Sequence, residues 1–108
     1  MTEKQQNDSV INELYNVILQ RREEMPEGAY TTYLFEHGLD KILKKIGEEA
    51  SEVIIGAKNL SRSEVVYETA DLTYHVLVLL AQMEITPAEI GRELERRRNK
   101  TKADYGEH

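Results

Sequence analysis

Residues 65 to 80 constrain this chain most. Val65, Val66, Leu72, Val76, Leu77, Val78, Leu79 and Leu80 follow one another so closely that, wound at helical pitch, they cover nearly the whole circumference of one helix. A helix with no face for water has to sit in the middle of others. Ser61 followed by Glu64 forms a capping box that starts it. Whatever this chain becomes is therefore built around that segment.

The flanking sequence supplies the neighbours. Val10, Ile11, Leu14, Val17 and Ile18 recur at helical spacing, predicting a first helix from Asp8 or Ser9 to about Glu24, closed by Met25-Pro26-Glu27-Gly28. The stretch from Pro26 to about His37 reads as a loop whose Ala29-Tyr30-Thr31-Thr32-Tyr33 is rich in hydroxyls, a setting that commonly carries ligand contacts. A second helix covers Leu39 to Lys58, with Leu39, Ile42, Leu43, Ile46, Ala50, Val53, Ile54 and Ala57 in one apolar stripe. Thr86-Pro87-Ala88-Glu89 places an N-cap, a proline at the first helical position and a carboxylate at the third, so a last helix starts there and runs to a polar tail near Ala103. No repeat or linker divides the chain, and the expectation is one all-α domain over residues 1–108, a bundle of about four helices. At 108 residues the core is modest, so a second copy is expected to complete it.

Charge and composition exclude several functions. A net charge of −6 argues against a general nucleic-acid binder, because phosphate backbones are held by clustered Lys and Arg. An acidic chain can hold a small polyphosphate only where a cation or a local basic patch masks the repulsion. With no Cys, disulfides and thiolate zinc sites are ruled out, and the composition is compatible with a cytoplasmic protein. The longest apolar run, Val76 to Ala81, is far too short to span a bilayer, so no membrane association is expected.

Two acidic pairs carry the chemistry. Glu49 and Glu52 share one face of their helix, and Glu68 and Asp71 share one face of the next. A short turn joins the two helices, so they pack antiparallel and can bring all four carboxylates to a common level. Oxygen donors at this density suit a hard cation, Mg²⁺ or Mn²⁺, bridging carboxylates to substrate phosphates. Glu-Glu-x-x-Glu alone is ordinarily a solvated face. Glu68 and Asp71 are harder to dismiss, because ionised groups inside the least polar segment require partners. Lys41, Lys45, Glu48 and Glu52 lie along one face, where the lysines can meet phosphate oxygens and Glu48, not needed as a ligand, can act as general base. His75, one turn beyond Asp71, supports a ligand, contacts substrate or satisfies a core hydrogen bond, the first being favoured. Tyr74 has left that face and reads as packing. Arg96-Arg97-Arg98 reads first as a helix C-terminal charge cluster and second as a phosphate site.

Lys44-Lys45-Ile46-Gly47-Glu48-Glu49-Ala50-Ser51-Glu52-Val53 and Tyr67-Glu68-Thr69-Ala70-Asp71-Leu72-Thr73-Tyr74-His75 resemble the phosphoribosyl-ATP pyrophosphohydrolases of histidine biosynthesis, within the all-α MazG-like nucleotide pyrophosphohydrolases. The resemblance runs from about Leu14 to Arg97 and includes Tyr30-Thr31-Thr32-Tyr33-Leu34 and Gly38-Leu39-Asp40-Lys41-Ile42. It implies metal ligation by Glu49, Glu52, Glu68 and Asp71, with Glu48 as an accessory acid–base group. It also implies cleavage of phosphoribosyl-ATP to phosphoribosyl-AMP and pyrophosphate by a Mg²⁺-dependent homodimer, with Ile55 on a second buried surface. Lys41, Lys45, Thr31, His75 and Arg97, with Arg21 as an alternative, are the expected substrate contacts, and the Tyr30–Tyr33 loop is expected to close over the nucleotide. Ala29 departs from the Ser that the family often places before Tyr-Thr, leaving Thr31 to supply that hydroxyl. Two other functions fit the same residues: a house-cleaning hydrolase of aberrant nucleoside triphosphates or dUTP, and a helical dimerisation module without catalysis.

Overall fold

The computed structural model describes residues 3–101 and 103–105, with side chains for residues 10–101, 104 and 105. Five α-helices follow one another: α1 (Glu3–Glu24), α2 (Tyr30–His37), α3 (Leu39–Lys58), α4 (Arg62–Gln82) and α5 (Pro87–Arg96), with a 3-10 turn at Ala103–Tyr105. The all-α class expected from the sequence is the one found, with one helix more than expected. Among the described residues no helix is long and apolar enough to cross a membrane.

Antiparallel α3 and α4 form the central hairpin; α1 packs on α4, and α2 bridges α1 and α3. The hairpin helices approach closely at Gly56, where an added Cβ would lie 3.1 Å from Cβ of Glu64. Seven residues back along α3 and seven forward along α4 from that contact lie Glu49 and Asp71, and four in each direction lie Glu52 and Glu68. The register thus pairs the carboxylates level by level.

Tyr15, Ile18, Leu34, Ile42, Leu77, Val78, Leu80 and Ala81 form the core, all at one end of the hairpin. The expectation that α4 is surrounded holds there. Nearer the α3–α4 turn it does not hold within one chain: Ile54, Ile55, Val66 and Tyr67 are 62%, 51%, 67% and 69% exposed.

Three boundaries differ from the sequence expectation. α1 begins at Glu3 rather than near Ser9, since Glu3, Lys4, Gln5 and Gln6 are themselves good helix formers. α5 ends at Arg96 rather than near Ala103. Beyond it Arg98 and Lys100 donate their N–H groups three residues back, and Asp104 Oδ2 takes Thr101 N–H at 2.8 Å and its hydroxyl at 3.1 Å, an alternative to continuing the helix. The expected loop from Pro26 to His37 holds α2 from Tyr30 onward. Its β-branched, hydroxyl-rich start has weak helix propensity, and its N-cap, Ala29, provides no side-chain bond. Tertiary anchors compensate: Leu34 is fully buried, the Thr32 hydroxyl donates to Pro26 O at 2.8 Å, and the Thr31 hydroxyl meets the Tyr74 hydroxyl at 2.7 Å.

Candidate metal and phosphate site

Where α3, α4 and α2 meet, Glu49, Asp71 and His75 each bring a potential ligand atom within 4.8 Å of the others. Glu49 is buried on α3, with 7% of its surface exposed, and Asp71 faces it from α4. Burial first, and then the Asp71 carboxyl beside it, raise the Glu49 pKa above the usual carboxylate range; Lys45 offsets part of this. Lys45 Nζ lies 3.5 Å from Glu49 Oε1 and 3.6 Å from Glu48 Oε1. Burial works against the charge on Lys45, but the Tyr30 phenol and the two glutamates outweigh it and raise its pKa. Among the described residues one ammonium therefore pairs with both Glu48 and Glu49, while Asp71 faces Glu49 as a further carboxyl. That deficit of positive charge is the electrostatic character of the site.

His75 is 2% exposed and held at both ring nitrogens. Nδ1 lies 2.8 Å from Asp71 O and 3.6 Å from Asp71 Oδ1. A carbonyl oxygen can only accept, so Nδ1 carries the proton. Nε2, 2.8 Å from the Tyr30 hydroxyl, then accepts in the neutral ring. Tyr30 stacks between Tyr33 and Tyr74, with centroids 5.9 and 6.3 Å away. Its ring also lines a depression of about 490 Å³ with Met25, Gly28, Ala29, Thr32 and Tyr33.

The remaining expected residues fall into three groups. Glu52 and Glu68 stand level with each other one turn nearer the α3–α4 turn, Glu52 exposed and Glu68 half-buried, and neither belongs to the compact cluster. Glu48 is exposed beside Lys45, and Lys41 sits with Nζ 5.6 Å from the Tyr33 ring centre. Thr31 and Arg97 are committed elsewhere. Thr31 is 2% exposed with its hydroxyl on Tyr74, so it fastens α2 to α4 instead of facing a ligand. Arg97 Nε donates to Glu93 Oε2 at 2.7 Å, and its guanidinium lies 5.8 Å from the Tyr105 ring, within the α5 terminus.

Two features of the sequence reading change. Tyr30–Tyr33 is the first turn of a docked helix, not a loop free to close. Tyr30 is a site residue that sequence spacing does not reveal, because its place depends on how α2 lies across α4. Tyr74, expected to pack, does so, and its hydroxyl also holds Thr31.

A family model described as phosphoribosyl-ATP pyrophosphohydrolase matches residues 11–98. A phosphoribosyl-ATP pyrophosphatase of Geobacter sulfurreducens is 53% identical over 92 residues, 85% of each chain. One from Pelotomaculum thermopropionicum is 57% identical over 91 residues, 84% of this chain and 93% of the relative. A histidine biosynthesis bifunctional protein of Bacillus subtilis is 60% identical over 86 residues, 78% of this chain but 41% of that longer protein.

Proposed function

Because the chain belongs to the phosphoribosyl-ATP pyrophosphohydrolase family, we propose that it hydrolyses phosphoribosyl-ATP to phosphoribosyl-AMP and pyrophosphate, by water attack at the α–β phosphoanhydride with Mg²⁺ bound. The observation that carries this reading is the buried Glu49 carboxyl facing Asp71, raised in pKa and balanced, among the described residues, by Lys45 alone. Such a pair gains most from a divalent cation, and a polyphosphate brings one with it.

The carboxylate oxygens of the site fit a hard cation. Glu49 and Asp71 would hold it, with Glu52 and Glu68 completing the set from the next level of the same register. Mn²⁺ would serve in its place. A cation held there would supply charge neutralisation at the phosphates and lower the pKa of the attacking water. The rest belongs to the chain's own side chains. Glu48 is exposed, its Oε1 3.6 Å from Lys45 Nζ, and accepts the proton. Lys45, and Lys41 one turn before it, orient phosphate oxygens. The depression lined by Tyr30 would give the nucleoside room. A second copy would cover Ile54, Ile55, Val66 and Tyr67, which a monomer leaves in water, so the working form is a homodimer. With a nucleoside triphosphate derivative as substrate, the cytoplasm is the proposed site of action.

Phosphorus NMR of the products formed from phosphoribosyl-ATP and Mg²⁺ tests this directly, since it reports both the bond broken and the substrate accepted. Pyrophosphate and a phosphoribosyl monophosphate product are expected. Inorganic phosphate release, or faster cleavage of a simple triphosphate such as dUTP, would overturn it.

A further inference from the structure

His75 presents a puzzle that the proposed chemistry does not absorb. A buried imidazole stands beside a carboxylate cluster and is a strong candidate ligand by position, yet a nitrogen donor would draw in borderline metals such as Zn²⁺ ahead of Mg²⁺. The ring can ligate only through a nitrogen with a free lone pair. Nδ1, the atom beside Asp71 Oδ1, carries a proton because Asp71 O accepts from it at 2.8 Å. Nε2 holds the ring's one lone pair, and the Tyr30 hydroxyl occupies it at 2.8 Å. That hydroxyl therefore stands between the ring's one available lone pair and any cation.

We propose that Tyr30 is a positioning residue that caps the acceptor nitrogen of His75, so that the imidazole steadies Asp71 while the site offers a cation oxygen ligands only. The proposal rests on the cation-binding reading above and names the device that sets its metal preference. Tyr30 is well placed to hold this position, because α2 is pinned to α4 one residue later by the Thr31–Tyr74 hydroxyl pair and its ring is stacked between two tyrosines. Removing the hydroxyl alone, in Tyr30→Phe, leaves the stack in place and bares the lone pair without disturbing the Nδ1 proton.

The test uses the full chain and metal ions alone. Nitrogen-15 NMR of cation-free protein should show His75 as the neutral Nδ1–H tautomer. Titration calorimetry should show the Zn²⁺-to-Mn²⁺ affinity ratio rising roughly tenfold or more in Tyr30→Phe, the scale on which groups behind metal ligands act. Tyr30→Phe combined with His75→Asn should return the ratio to the original value, which a merely structural effect of losing the hydroxyl would not do. Mn²⁺ binding with an unchanged ratio in Tyr30→Phe, or an Nε2–H tautomer in the unaltered protein, overturns this role and leaves the cation site standing. Absence of Mn²⁺ binding by the unaltered protein overturns the cation site, and this role with it.

Discussion

Glu49→Gln separates the cost of the acidic cluster from its use. The amide keeps the shape of the buried side chain: its carbonyl can accept from Lys45 and its NH₂ can donate to Asp71, replacing a pair of facing carboxyls. Without cation, the variant should melt at the same temperature as the unaltered protein or higher, because burial and Asp71 both disfavour the ionised glutamate it removes. With Mn²⁺ at a hundred times its dissociation constant, the unaltered protein should gain about 2.7 kcal/mol. At about 4–8 °C per kcal/mol for a domain near this size, that is a rise of roughly 10–20 °C. Losing a direct ligand weakens the cation about a hundredfold or more, leaving roughly 0.4 kcal/mol at the same concentration, a rise of about 3 °C or less. Circular dichroism melts in EDTA and in MnCl₂ measure all four states. A variant that keeps the full cation-induced rise, or that is clearly less stable in EDTA, would refute the placement of Glu49 as a buried ligand.

Four other perturbations test separate parts of the account. Glu48→Gln should lower turnover by about 10²–10⁴-fold in a pyrophosphate-release assay while Mn²⁺ affinity by calorimetry stays near its original value. Thr31→Val leaves the Tyr74 hydroxyl without its partner and should cost about 1–3 kcal/mol in urea denaturation, an effect absent if that bond does not anchor α2. Ala29→Ser supplies the missing cap to α2 at a residue already extended, φ −80 and ψ 138, and should gain about 1 kcal/mol in the same assay. Thr86→Ala should cost about 1 kcal/mol. The Thr86 backbone N–H, then its hydroxyl, hold the Glu89 carboxyl below its usual range, so this cap is at full strength above the ordinary carboxylate pKa. It is lost as pH falls through the lowered value, so α5 should fray in acid in amide exchange.

The parts legible in the sequence are those written in local code. Ser61 and the Thr86-Pro87-Ala88-Glu89 box start α4 and α5 where spacing says they should, and both caps accept the backbone N–H three residues on, but only Thr86–Glu89 closes the reciprocal box, since Ser61 N–H donates to Gly56 O instead. Glu49 and Asp71 were legible because a helix fixes which residues share a face. Their register across the hairpin was not, since it depends on Gly56 meeting Glu64, a contact between helices. That register sets buried Glu49 against half-buried Asp71 and leaves Glu52 exposed. α2 escaped notice for the same reason: nothing in Tyr-Thr-Thr-Tyr favours a helix until Leu34, Thr31 and Thr32 find their tertiary anchors. Thr31 looked like a ligand contact because a hydroxyl in a loop is free, whereas in a docked helix it is spent.

Anomalous diffraction from a crystal grown with Mn²⁺ tests the central claim most directly. The account predicts a manganese peak bonded to carboxylate oxygens of Glu49 and Asp71, with Glu52 and Glu68 drawn toward it and no bond to His75. A peak elsewhere, or full occupancy of the crystal by Mn²⁺ only at surface carboxylates, would contradict it.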